Sequence, residues 1–186
     1  MEITENHTVR RDVGFILYLL LAIFLGIALF SYSAADPAFY QQVKGYVVTN
    51  WEGFLGAHMA AFFFYFLGYG AYAFPAFFLY RAIVCLKGGD NPKSKAYLGV
   101  LSLYIGCLGL MSLHLVQDIT LPVGIGGYIG DQITWQLTDW VDIVGTTLLL
   151  SGLAIIGFTV VFQVAWQNIL SIKVKMPLRR TVNAQP

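Results

Sequence analysis

Four stretches of this chain, residues 13–32, 54–80, 96–117 and 143–170, contain no Asp, Glu, Lys or Arg. A helix needs roughly 20 apolar residues to cross a hydrocarbon core about 30 Å thick, and each stretch supplies them. No soluble domain of 186 residues needs four such runs. The chain therefore reads as an all-α integral membrane protein with four transmembrane helices, and lipid is its main solvent. Its mean hydropathy of +0.68 and its 11% of charged residues agree.

The placement of the charges is more informative than their sum of +1. Arg10 and Arg11 precede the first stretch, Arg81, Lys87, Lys93 and Lys95 separate the second from the third, and Lys173, Lys175, Arg179 and Arg180 follow the fourth. Of the 11 basic residues only Lys44 falls elsewhere. Cytoplasmic segments collect Lys and Arg, so both termini are expected in the cytoplasm. The two opposite segments carry Asp36, Glu52, Asp118, Asp131, Asp139 and Asp142. The last three read as a solvated helix face.

Residues 1–12 form a polar cytoplasmic lead, 13–170 the four-helix domain, and 171–186 the start of a cytoplasmic linker. Each outward loop is expected to carry a short amphipathic helix. In the first, Asp36 at an N-cap and Pro37 at the first helical position mark a start. Tyr40, Val43, Val47 and Trp51 then recur at spacings of three and four. An aromatic face of Phe39, Tyr40, Tyr46 and Trp51 suits the headgroup level. In the second loop, a glycine-rich run (Gly124, Gly126, Gly127, Gly130) precedes Ile129, Ile133, Leu137 and Val141, with Trp135 and Trp140 as interfacial anchors. Ala22 with Gly26, Ala57 with Ala61, and Ser102 with Gly106 are small-residue pairs that let helices approach closely. Pro75 suggests a kink in the second span. Ser33-Ala34-Ala35 resembles a signal-peptidase site, but the preceding stretch exceeds the usual 7–15 apolar residues, so an uncleaved anchor is expected.

Little of the sequence points to chemistry. Cys85 and Cys107 fall at different depths and read as free apolar thiols. Gly88-Gly89 with Lys93-Ser94 lacks the spacing of a phosphate loop. No paired carboxylates or Ser-His-Asp set stands out, and the span centres lack the buried charges of a transport path, which makes a small transporter a weak alternative. His58 and His114 lie at similar depth, so a bis-histidine haem b electron carrier is the other alternative.

The order of features resembles the N-terminal four-span membrane domain of the FtsK/SpoIIIE DNA translocases. Ser31-Tyr32 with Asp36-Pro37 is similar to that family's first signature. Asn50-x-x-Gly53-x-x-Gly56-Ala57, with Gly68 and Pro75, is similar to its second. Gly126-Gly127-x-Ile129-Gly130, with Gly145-Thr146, is similar to its third. Many members carry an acidic residue where this chain has Ala61. The resemblance implies a non-catalytic anchor in the bacterial inner membrane at the division septum, active in cell division and chromosome segregation. It implies no cofactor, a hexameric assembly, and contacts with other division proteins. DNA and ATP would be handled by a motor domain beyond Pro186, which makes these residues the N-terminal portion of a longer protein. Asp36, Pro37, Asn50, Gly53, Gly56, Gly126, Gly127 and Gly130 are the structural or assembly candidates.

Overall fold

A computed structural model describes residues 2–41, 47–88, 94–116 and 118–163. The elements are α1 (Glu2–Phe30), α2 (Gly53–Leu67), a 3₁₀ segment (Gly68–Tyr72), α3 (Ala73–Leu86), α4 (Ser94–His114) and α5 (Gly127–Phe162). Four helical stretches are long and apolar enough to cross a membrane: Arg11–Phe30, Gly53–Leu86, Ala96–His114 and Gly127–Phe162. The four-span, all-helical reading is therefore correct. Helix α1 begins already in the polar lead, eleven residues before the first apolar stretch. Residues 164–170, assigned above to the fourth span, and the linker at 171–186 lie outside the described residues.

Packing reveals two antiparallel hairpins. In the first, Arg11 Nη2 donates to Leu86 O at 3.3 Å, Tyr18 stacks on Phe78, and Tyr72 Oη donates to Leu29 O at 3.3 Å. The pairing thus runs along α1 from Arg11 to Leu29. In the second, Ser102 Oγ donates to Leu153 O at 2.9 Å, and His114 Nε2 meets Thr147 Oγ1 at 2.8 Å. Gly106 and Gly157 let the α4 and α5 backbones touch, since a Cβ on either would run into the facing main chain. Lipid offers apolar side chains as good an environment as another helix does, so such close contact replaces hydrophobic burial as the source of cohesion. Leu20, Leu98 and Leu148 are accordingly more than half exposed.

The second apolar stretch is not one continuous helix. Asn50, just before α2, donates from Nδ2 to Ala28 O at 2.8 Å, while Phe64, near the end of α2, packs on Tyr32 with ring centroids 4.7 Å apart. Both ends of a helix about 20 Å long thus touch the five residues Ala28–Tyr32 at and just beyond the end of α1. Helix α2 lies across the end of α1, and the chain turns at Gly68 (φ 54, ψ −139) before descending as α3. The stretch expected as one span at 54–80 thus holds two helices joined by a 3₁₀ segment, within the membrane-length stretch Gly53–Leu86. Apolarity alone cannot distinguish a helix that crosses lipid from one that lies within it. Pro75 is the third residue of α3, where its missing N–H costs nothing, so the break lies upstream of the proline.

Helix α5 repeats this plan. Asp142 (φ 58, ψ 175) interrupts it, separating residues 127–141 from the span at 143–162. Gly126, Gly130, Asp131 and Thr134 all meet the short section Leu108–Ser112 of α4, so this first part also lies across its neighbour. Both transverse helices open on glycine, aromatic, aliphatic, glycine: Gly53-Phe54-Leu55-Gly56 and Gly127-Tyr128-Ile129-Gly130. Gly53 and Gly127 have φ of 65 and 64, and both helices run 15 residues to a left-handed corner. The domain is an internal repeat of span, loop, transverse helix and returning span. The amphipathic helix expected in the second loop is this second transverse helix.

The transverse helices gather at the end that carries Asp36, Glu52, Asp118 and Asp131, here called the acidic end. Arg11, Arg81 and Lys87 mark the opposite, basic end. The buried cluster of Ala28, Leu29, Ala60, Phe64, Ala71, Leu121 and Ile125 sits where α2 crosses α1 and meets the second loop. Arg81, placed above in a loop, is inside α3, 5% exposed, with its guanidinium 5.5 Å from the centre of the Tyr18 ring.

Candidate assembly surface at the acidic end

The end of a helix leaves its last carbonyls without partners, and in a membrane each must find one. The first loop supplies them for α1. Ile27 O accepts from Ser31 N at 2.9 Å and Ser31 Oγ at 2.8 Å. Ala28 O takes the Asn50 amide, and Leu29 O takes the Tyr72 hydroxyl. Asn50 is held in turn by Asp36. One Asp36 oxygen accepts from Thr49 N and Thr49 Oγ1, both at 2.8 Å, and the other accepts from Asn50 N at 2.9 Å. Asp36 and Asn50 are each 4% exposed. Glu52 N donates to Asn50 Oδ1 at 3.1 Å, and any side chain at position 56 would run into that amide. Position 56 therefore requires glycine.

The expectation that Asp36 and Pro37 start a helix is corrected. Pro37 leads into a turn, with Ala38 and Gln41 exchanging backbone hydrogen bonds at 2.9 and 3.1 Å. The Asp36 carboxylate serves the far end of the loop, 13 and 14 residues on, and caps nothing that follows it directly. Val47 to Asn50 are not helical, while Val43 and Tyr46 fall within 42–46, outside the described residues.

The second lock joins the hairpins. Tyr69 N donates to Ile125 O at 2.9 Å, and Gly127 lies directly against the backbone of Leu67 and Gly68. A Cβ on either glycine would strike main-chain atoms, and both have positive φ, so glycine is demanded twice over. Tyr104 Oη donates to Gly70 O at 3.0 Å, and Tyr69 Oη donates to Asp118. That hydroxyl, helped by Thr120, holds the Asp118 carboxyl below the usual range. Gly126 and Gly130 abut the Leu108 carbonyl and Ser112, and Ser112 Oγ donates to Asp131. Asp131 is thus turned inward, which corrects its assignment to a solvated face; Asp139 and Asp142 are exposed. Burial raises the Glu52 carboxyl above its usual range.

A ring cluster links the two loops and was not anticipated. Phe39 meets Tyr65 at 5.2 Å, Tyr40 meets Tyr65 at 5.7 Å, and Tyr65 stacks on Tyr128 at 5.9 Å. Trp51, Trp135 and Trp140 remain outside it, each more than 60% exposed. Tyr46, expected on the same aromatic face, lies outside the described residues. Ala57 and Ala61 are each 2% exposed, so an acidic residue at position 61 would be buried.

The two histidines are engaged separately. His58 Nδ1 lies 3.0 Å from Phe54 O on its own helix, while His114 bonds Thr147. Among the described residues no group of three or more His, Cys, Asp or Glu is placed to hold a metal ion. Cys85 and Cys107 are free thiols.

The profile of the family described as the 4TM region of DNA translocase FtsK/SpoIIIE matches residues 7–173. The chain belongs to this family. It is similar to a protein of Vibrio parahaemolyticus named DNA translocase FtsK, with 30% identity over 86% of this chain and 16% of that protein. Proteins of the same name from Pseudomonas putida and Pseudomonas aeruginosa are 26% and 27% identical over 85% of this chain. They are covered to 20% and 21% of their own length, so the chain spans about a fifth of the relatives it matches. No solved structure matches it. With four membrane-length helices, this family membership makes the chain a multi-pass protein of the bacterial inner membrane.

Proposed function

We propose that these residues are the non-catalytic anchor of a septal DNA translocase. They hold the motor in the cytoplasmic membrane at the division septum, self-associate as part of a hexamer, and meet other division proteins at the acidic end. ATP hydrolysis and DNA movement belong to a motor outside residues 1–186. The observation that carries this reading is the family match over residues 7–173, together with relatives named DNA translocases of which this chain covers about a fifth. The acidic end supports the assembly role. Asp36 and Asn50 lock the described part of the first loop by buried carboxylate and amide bonds, and Trp51 and Trp140 are exposed at this end.

A motor can use this anchor only if the basic end faces the cytoplasm. In a variant with Cys85 and Cys107 replaced by Ser, Gln41→Cys and Asp139→Cys are expected to react with an impermeant maleimide added outside intact spheroplasts. Asn91→Cys is expected to react only after lysis. Labelling of Asn91→Cys in intact spheroplasts would reverse the orientation and defeat the anchor.

A further inference from the structure

We propose that the cleft between the two hairpins binds one acyl chain of an anionic phospholipid, with the headgroup at the basic end. This goes beyond the anchor reading and depends only on the spans lying in lipid.

The hairpins are locked together near the acidic end, at Gly68 with Gly127 and at Tyr104 with Gly70. Nearer the basic end α3 and α4 stand apart and leave a cleft of about 540 Å³. Ala76, Phe77 and Tyr80 of α3 face Tyr97 and Val100 of α4 across it, and Phe162 of α5 forms part of the wall. A smaller recess of about 260 Å³ extends it to Phe74 and Tyr104. Ordered water needs two to four polar partners, and the Tyr hydroxyls are the only side-chain polar groups on these walls. The remaining walls are aliphatic and aromatic, so the space favours hydrocarbon.

Size then decides which hydrocarbon. A transmembrane helix 10–12 Å across and 30 Å long occupies on the order of 2,500 Å³, so neither a partner's span nor one from a second copy can enter. A single unbranched acyl chain can, and the volume falls in the range of roughly 300–1,000 Å³ usual for small-ligand pockets.

The rim selects the headgroup. Ala73, Phe77 and Tyr80 lie on one face of α3, and the same helical spacing continues through Val84 to Lys87, which is exposed. An exposed basic side chain at the membrane surface attracts anionic lipids.

The test is native mass spectrometry of the full chain, extracted in mild detergent and exchanged with phosphatidylglycerol or phosphatidylcholine. One retained phosphatidylglycerol per chain is expected, favoured at least several-fold over phosphatidylcholine. Ala76→Trp and, from the facing wall, Val100→Trp fill the cleft and should cut retention at least fivefold. Leu98→Trp, on a position 67% exposed, should not. Lys87→Gln should reduce the preference for phosphatidylglycerol while leaving bound lipid detectable. If Ala76→Trp lowers the melting temperature, Val100→Trp decides. Equal retention of the two lipids, undiminished retention in the folded filled variant, or a lipid-free dimer would each overturn the proposal.

Discussion

Gly68→Ala is expected to lower the stability of the purified domain by about 3–5 kcal/mol, summing backbone strain in a glycine-only region with overpacking against a fixed neighbour. At φ 54 and ψ −139 an L side chain is strained before it touches anything. The added methyl would then meet the Ile125 carbonyl, which cannot withdraw because it accepts the Tyr69 amide at 2.9 Å. Relief would require the corner to move away from Gly127, which would open the joint between the hairpins. Gly152→Ala is the control: nothing lies within 4 Å of the added methyl. As a surface change in a helix it should shift stability by no more than about 1 kcal/mol. Thermal unfolding of both variants in the same detergent provides the comparison. Equal melting temperatures would mean that the Gly68 corner is not where the structure places it.

Asp36→Ala is the second large effect, at about 2–4 kcal/mol, because three donors lose one buried acceptor group. The Thr49 amide, the Thr49 hydroxyl and the Asn50 amide all point at that carboxylate. Once Asn50 is released, its grip on Ala28 O loosens, and the last turn of α1 loses a partner. Hydrogen exchange should quicken first at the Thr49 and Asn50 amides. Asp36→Asn, which keeps one acceptor oxygen, should fall between the parent and Asp36→Ala. Asp139→Ala, at an exposed position, should leave exchange unchanged. Identical exchange in Asp36→Ala and Asp139→Ala would remove the carboxylate from its assigned place.

The spans were legible because uncharged length is a direct physical signal, and the glycine run at 124–130 was visible as a structural or assembly candidate without its partner. The partner, Leu67 to Gly68, lies almost 60 residues earlier in the chain and became visible only through packing. Helix α2 was hidden by its own composition. A helix lying within lipid is as apolar as one crossing it, so Gly53–Leu67 merged with α3 into one apparent span. Asp36-Pro37 misled for a related reason. An aspartate before a proline fits an N-cap, but the same carboxylate can serve amides a dozen residues away, and the buried Asn50 offered the stronger use. The repeat of Gly-aromatic-aliphatic-Gly at positions 53 and 127 was present in the sequence. It became convincing once both glycines shared a positive φ and both helices ended at left-handed corners.

The anchor reading is tested most directly by where the domain goes without its motor. Residues 1–186 fused to a fluorescent protein, expressed at low level in dividing cells, are expected to gather as a band at midcell. Even fluorescence around the whole envelope, from a fusion shown to be intact and membrane-inserted, would contradict the account.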